Sequence, residues 1–338
     1  MIRSLFAIFL LLFALPSHGQ STQQWEQVLF KNESYVTLEN VKNFYGFTAI
    51  SRTGDKITLD KVHLHGNRTQ ILFLNGQQGT WINGVKFLLS FPLLQKGNDY
   101  LLHTIDLTKL IDPIMRPHNI GKKRQHFDTV IVDPGHGGHD PGTVSRHGNG
   151  AEKTHTLSLA KILAKQLRNR GFKVILTRNN DTFLSLQQRV DFANQYANAV
   201  FISLHFNAGA GGRAQGLETF SLAPKGVAHY GQRLKESDLT EKPGNNNDLA
   251  NIALATTLHA TIVKNTGRRD RGIRRARYSV LSGIRHPSVL IEGGFLASRE
   301  EGALIASSDY QERLAFSIAE AVVKYKLATE TKSKNKAK

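Results

Sequence analysis

The feature that most constrains this chain is the stretch TVIVDPGHGG at residues 129–138, a β-branched run that enters a turn rich in proline and glycine. Residues 130–132 are apolar without alternation, which predicts a strand buried on both faces. The turn at residues 133–138 ends this strand, because glycine allows the backbone to bend where a Cβ atom would clash. Open α/β sheets bind ligands beyond the carboxyl ends of their strands, and His136 lies at such an end.

The same arrangement recurs along the chain. Residues 199–204 form a second apolar strand that ends in His205, and residues 288–291 form a third that ends in Glu292. Glu152 precedes a helical pattern. Each of these residues alone is typical of a polar loop. Together, two histidines and two glutamates at element ends favour a zinc site, because zinc takes His nitrogen and carboxylate oxygen and keeps an open position when it is catalytic.

With these residues in place, the chain resembles the zinc-dependent N-acetylmuramoyl-L-alanine amidases, which cut peptidoglycan. The resemblance covers residues 127–325 and rests on several motifs in a fixed order. They are VIVDPGHGGHDPG from Val130, the isolated Glu152, GFKVILTR from Gly171, FLSLQQRVDFAN from Phe183, FISLHFNA from Phe201, GLETF from Gly216, DRGIRRARYSVL from Asp270 and VLIEGGF from Val289. The Gly293-Gly294 pair departs mildly from the family pattern around Glu292.

The resemblance implies a role for each site residue. His136, Glu152 and His205 would bind one zinc ion per catalytic domain, and Glu292 would be the general base. The alternative for Glu292 is a fourth ligand or a carboxylate behind the ligands. The implied reaction is hydrolysis of the amide between the lactyl group of N-acetylmuramic acid and L-alanine, in cell-wall remodelling or daughter-cell separation. Two other functions stay open, a zinc peptidase that cuts within the stem peptide and a non-catalytic wall-binding protein.

Strand and helix patterns alternate over residues 127–327, which predicts an α/β fold with a mainly parallel sheet and helices on both faces. The resemblance implies the zinc amidase (phosphorylase/hydrolase-like) version of this fold. The pattern of residues 20–115 predicts a small α+β domain of short strands. It includes a hairpin turn at Asn83-Gly84 and a helix over 105–111 that ends before Asp112-Pro113. It is faintly similar to amine-oxidase N-terminal-like domains, and we interpret it as an accessory or wall-binding module.

Three further segments complete the predicted organisation. Residues 1–19 carry a short positive start, an apolar run and small residues, which is typical of a secretory signal peptide rather than a transmembrane anchor. The mature protein is therefore expected in the periplasm or cell envelope, or secreted. Residues 116–126 read as a basic linker, and residues 328–338 as a basic disordered tail.

The charge balance indicates an anionic polymer as partner. The chain has 338 residues and a formal net charge of +17. Basic residues are not interleaved with aromatic ones, so peptidoglycan rather than nucleic acid is the expected partner. The chain has no cysteine, which excludes disulfides and thiolate ligands. The strongly basic run at residues 268–277 has two equal interpretations, as a dock for substrate carboxylates or as internal ion pairs.

Some polar residues and one segment near the site receive weaker predictions. Residues 223–247 predict an insertion beside the site. In some related amidases an inserted segment at this place covers the metal until a partner withdraws it, so an activator protein is left open. Glu218 is expected to face the groove or pair with an arginine. Five histidines are predicted to lie at the surface without a metal role: His63, His65, His103, His147 and His155. His139 lies close to His136, but the resemblance does not imply a ligand there because the family varies at that position.

Overall fold

The structure is a computed structural model and describes residues 25–63, 67–117, 120, 126–209 and 212–330. The predicted signal peptide, most of the predicted linker, His65 and residues 331–338 lie outside the described residues. Within the described ranges, no helix has the length and apolar character needed to cross a membrane.

The N-terminal region up to β9 consists of short strands and one helix of 8 residues. Its elements are β1 (Val28–Phe30), β2 (Glu33–Thr37), α1 (Leu38–Tyr45), β3 (Ala49–Thr53), β4 (Lys56–Val62), β5 (Arg68–Leu74), β6 (Gly79–Ile82), β7 (Val85–Leu88), β8 (Leu94–Lys96) and β9 (Asp99–His103). Asn83 and Gly84, both with positive φ, close the β6–β7 hairpin as predicted. Gly46 takes the left-handed conformation and ends α1.

A helical stretch follows β9 and continues further than predicted. It comprises α2 (Thr104–Asp106), a π-helical turn (Leu107–Ile111) and α3 (Asp112–Met115). The expected end before Asp112-Pro113 is therefore wrong. Pro113 follows the π-helical turn, where the change in hydrogen-bond register leaves a position that needs no N–H donor.

The C-terminal region alternates strands and helices as the sequence predicts. Its strands are β10 (Thr129–Pro134), β11 (Lys173–Leu176), β12 (Ala199–Asn207), β13 (Leu217–Leu222), β14 (Asp270–Ala276) and β15 (Ser288–Phe295). Its helices are α4 (Glu152–Arg168), α5 (Leu186–Ala193), α6 (Asp248–Thr266), α7 (Ser279–Ser282), α8 (Arg299–Ala306) and α9 (Ser308–Glu330). Residues 328–330 thus belong to α9, which corrects the start of the predicted tail.

The central strands are buried on both faces. Val130 and Val132 of β10 pack into one apolar cluster together with α4, α6 and α9. Ile131, between them, packs into a second cluster with α5 and α7 on the other face. Every neighbouring pair among β10–β15 is parallel except β13 with β15. The mainly parallel sheet with helices on both faces is therefore confirmed.

The N-terminal region extends the same sheet. Eleven strands are hydrogen-bonded in the order β11-β10-β12-β15-β13-β14-β7-β6-β5-β4-β3, and β1, β2, β9 and β8 form a separate small sheet. The junction is the parallel pair Ile273↔Phe87 between β14 and β7. Buried polar contacts reinforce it, because Arg275 lies 3.2 Å from the Asp106 carboxylate and the Lys86 amide donates to Asp270.

Candidate metal centre and active site

Three of the predicted site residues meet at the carboxyl ends of the parallel strands. His136 follows β10, His205 lies near the end of β12, and Glu152 is the first residue of α4. One potential ligand atom from each lies within 4.8 Å of those of the other two. His136 and His205, which are 69 positions apart in the sequence, thus share one site because parallel strands bring their carboxyl ends to the same edge.

The Glu152 carboxylate is the centre of this cluster. Its Oε1 lies 3.2 Å from His136 Nε2 and 3.0 Å from His205 Nδ1. The backbone amides of Phe206 and Thr143 donate to Oε1 and Oε2. Burial favours the neutral acid, but the two histidines outweigh it and lower the pKa of Glu152. The carboxylate is therefore held ionised, as a metal ligand must be.

His136 is oriented by a second carboxylate. Asp140 Oδ2 lies 2.8 Å from His136 Nδ1, which leaves Nε2 facing Glu152. Burial disfavours the charged ring, but Glu152 and Asp140 outweigh it and raise the pKa of His136. The backbone at His136 has φ +61°, a left-handed conformation that is uncommon outside glycine. Such conformations persist where the surroundings enforce them.

Two buried arginines hold the backbone around His136 in this conformation. Arg189 donates to the Asp133 carboxylate and to the carbonyls of Pro134 and His136. Arg178 donates to the carbonyls of Pro134 and Gly135. Both side chains are buried. They hold the loop that carries His136 by five charge-assisted hydrogen bonds.

Asp133 anchors Arg189 beneath this loop. Its carboxylate accepts hydrogen bonds from Thr177 and Ser203 as well as from Arg189. Burial raises its pKa, but Arg189 and the hydroxyl of Thr177 outweigh burial and the pKa is lowered. The sequence analysis assigned no role to Asp133, Arg178 or Arg189. The available signal was a basic residue in each of two quoted motifs, GFKVILTR and FLSLQQRVDFAN.

Two positions beside the candidate ligands must be glycine, because the neighbouring side chains leave no room for a Cβ atom. A Cβ atom on Gly135 would lie 2.2 Å from the His205 ring, and one on Gly142 would lie 2.6 Å from Glu152 Oε2. These contacts are far shorter than van der Waals distance. The glycines of the DPGHGGHDPG motif therefore allow the ligands to pack directly against the backbone.

Glu292 lies beside the cluster rather than within it. It pairs with His205 across β12–β15 and with Glu218 across β13–β15. Together with His136 and His205 it lines a cavity of about 430 Å³. Among the described residues, its buried Oε2 has no hydrogen-bond partner. Burial, together with the carboxylates of Glu152 and Glu218, raises the pKa of Glu292 well above its ordinary value.

The basic run at residues 268–277 is mostly neutralised inside the protein. Arg271 and Arg274 both contact Glu218, which settles the predicted partner of Glu218 as an arginine. The other pairs are Arg268–Glu301, Arg275–Asp106 and Arg277–Asp238, and Arg269 is exposed. The structure thus favours internal ion pairs over a dock for substrate carboxylates.

The histidines outside the cluster do not join it. His63 and His147 are exposed as predicted. His103 and His155 are buried, which contradicts the predicted surface position. His103 stacks on Phe91 with ring centroids 3.7 Å apart, and His155 bonds the Asn149 carbonyl. Isolated polar residues carry no local signal that distinguishes a satisfied buried ring from an exposed one.

Comparison with known proteins identifies the family. The family model described as N-acetylmuramoyl-L-alanine amidase matches residues 130–324, which is more than half of the chain. The chain belongs to this family. The matched segment starts in β10 and ends within α9, so it contains all four predicted site residues.

Curated relatives agree with this assignment. The chain is 29% identical over 226 residues to the N-acetylmuramoyl-L-alanine amidase AmiA of Escherichia coli, which covers 60% of this chain and 78% of AmiA. It is 31% identical to LytC of Bacillus subtilis, with 59% of this chain and 35% of LytC covered. A crystal structure of an amidase from Clostridium difficile 630 has 35% identity and a TM-score of 0.49, and covers 59% of this chain and 97% of that one.

Proposed function

We propose that this chain is a zinc-dependent peptidoglycan amidase that hydrolyses the bond between the lactyl group of N-acetylmuramic acid and L-alanine of the stem peptide. The observation that carries the proposal is the His136–Glu152–His205 cluster, in a segment that matches the amidase family. Two imidazoles and one carboxylate are a donor set that catalytic zinc takes, with a fourth position left for water or substrate. His136 donates its Nδ1 hydrogen to the Asp140 carboxylate, which is the support that zinc-binding histidines need.

When bound, zinc supplies a Lewis acid for the amide carbonyl and makes a nearby water molecule more acidic. The protein residues supply the rest. His136, Glu152 and His205 would fix the position of the ion, and apolar side chains such as Leu184 and Val280 form part of the cavity wall beside it. The arginine-bound loop keeps this geometry rigid, which matters because small displacements of reacting groups lower rates strongly.

Glu292 is proposed as the general base. Its carboxylate lines the same cavity as both histidines, and the three-residue cluster excludes it. This placement supports the base role over that of a fourth ligand. One carboxylate oxygen would accept a proton from the attacking water and deliver it to the departing nitrogen of L-alanine. Burial and the neighbouring carboxylates raise the pKa of Glu292, which makes its carboxylate a stronger base toward the water proton.

The proposed cellular setting follows from the sequence. Export by the predicted signal peptide would bring the enzyme to peptidoglycan in the periplasm or cell envelope, for wall remodelling or daughter-cell separation. An activator protein stays a prediction. The residues that line the metal-site cavity include none from the insertion at 223–247. We therefore expect the purified enzyme to cut peptidoglycan without a partner, and an activator would act by another route.

The test is muropeptide analysis of peptidoglycan digested with zinc, after chelation, and with Glu292→Gln. Release of intact stem peptides with free L-alanine amino termini, lost on chelation, is the expected result. Glu292→Gln should lower the rate by about 10²–10⁴-fold with zinc content unchanged. The exposed Glu312 on α9 offers a matched control, and Glu312→Gln should act like the parent. Cleavage inside the stem would show a peptidase, and zinc binding without cleavage would show a non-catalytic protein.

A further inference from the structure

A second cavity adjoins the metal-site cavity. It has a volume of about 730 Å³ and shares Leu186 and Ser279 with the smaller cavity over the cluster. Its walls are helix α5, the segment around α7 and the insertion at residues 223–247. Both volumes lie in the range of ligand sites. The two cavities therefore border each other, and a substrate seated with its scissile amide at the cluster lies next to the second cavity.

Three of the four Lys and Arg side chains that line this second cavity have no carboxylate partner among the described residues. Lys235, Lys242 and Arg285 line it, and within the described ranges no carboxylate lies within ion-pair distance of any of them. Lys235 Nζ bonds only the side-chain oxygen of Gln232. The contrast with the basic run at 268–277 is direct, because the arginines of that run are mostly paired inside the protein.

Of the two acids that line the cavity, one is paired with a cation and the other keeps its charge, against three unpaired cations. Asp238 is paired with Arg277 and accepts a hydrogen bond from the Lys235 amide, and Asp191 accepts one from Gln187. The cavity therefore keeps an excess of unpaired positive charge. Such a surface selects a ligand with carboxylates, because charge-assisted hydrogen bonds to Lys and Arg are stronger than neutral ones.

We propose that this cavity binds the carboxylate-bearing stem peptide beyond L-alanine, with Lys235, Lys242 and Arg285 as its specificity residues. The inference rests on the proposed amidase function. The peptide is the part of peptidoglycan that carries carboxylates, whereas the glycan strand offers hydroxyl and acetamido groups. The insertion thus forms the wall of a substrate subsite, and the chain recognises the charged side of the amide that it cuts.

The test uses two synthetic muramyl tetrapeptides that differ only in their carboxyl groups, which are free in one and converted to carboxamides in the other. The zinc-loaded enzyme should prefer the free acid by about tenfold or more in kcat/KM, mainly through KM. In Lys235→Gln/Lys242→Gln/Arg285→Gln this ratio should fall to about one. Arg233 is exposed in the same insertion but does not line the cavity, so Arg233→Gln is the matched control and should keep the ratio.

A binding measurement separates this inference from the proposed function. The free tetrapeptide acid is titrated by calorimetry into the chelated enzyme, where catalysis does not contribute. Binding that is lost in the triple variant and in the carboxamide peptide supports the subsite even if neither muropeptide is cut. Equal kcat/KM for both substrates, or a preference that survives in the triple variant, would overturn the subsite and leave the amidase function intact.

Discussion

The two ends of the eleven-stranded sheet are built in different ways. At the β11-β10-β12-β15 end, parallel strands deliver charged side chains to one edge, and buried ion pairs hold the loops that follow them. At the β7–β3 end, antiparallel hairpins enclose an apolar core. Of the buried polar side chains in the described part of the chain, only Thr80, His103 and Asp106 precede residue 118. The difference shows that the catalytic end contains buried charges, which cost folding stability, whereas the N-terminal end is stabilised by hydrophobic packing.

The largest expected effect compares two buried arginines. Arg189→Ala would leave Asp133 buried without its cation, and Arg275→Ala would do the same to Asp106 at the junction with the N-terminal region. Each should lower the free energy of unfolding by about 3–5 kcal/mol, measured by chemical denaturation. Only Arg189→Ala should also lower the activity per folded molecule. Equal activity losses in both variants would mean that the two ends are not separable.

Close packing at the two ends gives the next comparison. Gly135→Ala places a methyl group against the His205 ring, so we expect zinc binding to weaken and activity to fall by about 100-fold. Gly54 lies in an N-terminal turn with open space around its Cβ position. Gly54→Ala should keep full activity and lose only about 1–2 kcal/mol for the left-handed backbone. Activity and zinc content are measured for both, and an active Gly135→Ala would refute the packing argument.

A smaller effect is expected from the carboxylate that orients His136. Asp140→Ala removes the acceptor 2.8 Å from His136 Nδ1 and should weaken zinc binding by about 10–100-fold. The readout is the concentration of a competing chelator that strips half of the zinc. Asp99→Ala, at an exposed position in the N-terminal region, serves as control and should leave this concentration unchanged.

The smallest effect concerns a half-exposed contact at the same junction as Arg275. Lys109 Nζ lies 3.2 Å from Asp248, and the lysine side chain is 41% exposed. Lys109→Ala should lower the free energy of unfolding by about 1 kcal/mol or less, because exposed pairs are screened by water. A loss as large as that of Arg275→Ala would show that surface pairs rather than buried ones hold the two regions together.

The sequence predicted that the candidate ligands lie at element ends, because the signals for those ends are local. An apolar strand followed by a histidine or glutamate can be recognised within ten residues, so the positions of His136, His205 and Glu292 at strand ends were predictable. The motif order then implied which residues bind metal, and the structure brings the implied ligands together. Capping signals such as Ser185 before α5 are equally local and were confirmed.

The features that the sequence did not predict depend on long-range contacts. Phe87 and Ile273 pair across 186 positions, and no local pattern indicates that β7 continues the catalytic sheet. Arg178 and Arg189 read like ordinary surface arginines until the fold buries them beneath the loop. The same holds for His103 and His155. Whether a polar residue is buried depends on which distant segments pack over it. The hydrophobic periodicity of the sequence carries no information about those contacts.

The pair between β14 and β7 joins the N-terminal strands to the catalytic sheet and so sets the distance between the two regions. Ten spacings of about 4.8 Å separate the first and last strands of the eleven, so the far edge at β3 lies about 48 Å from β11 along the hydrogen-bonding direction. If the N-terminal region binds the cell wall, the active site would cut peptidoglycan at a fixed distance and orientation from the point of attachment. Spacing between cuts would then reflect the width of a folded sheet rather than the reach of a chain.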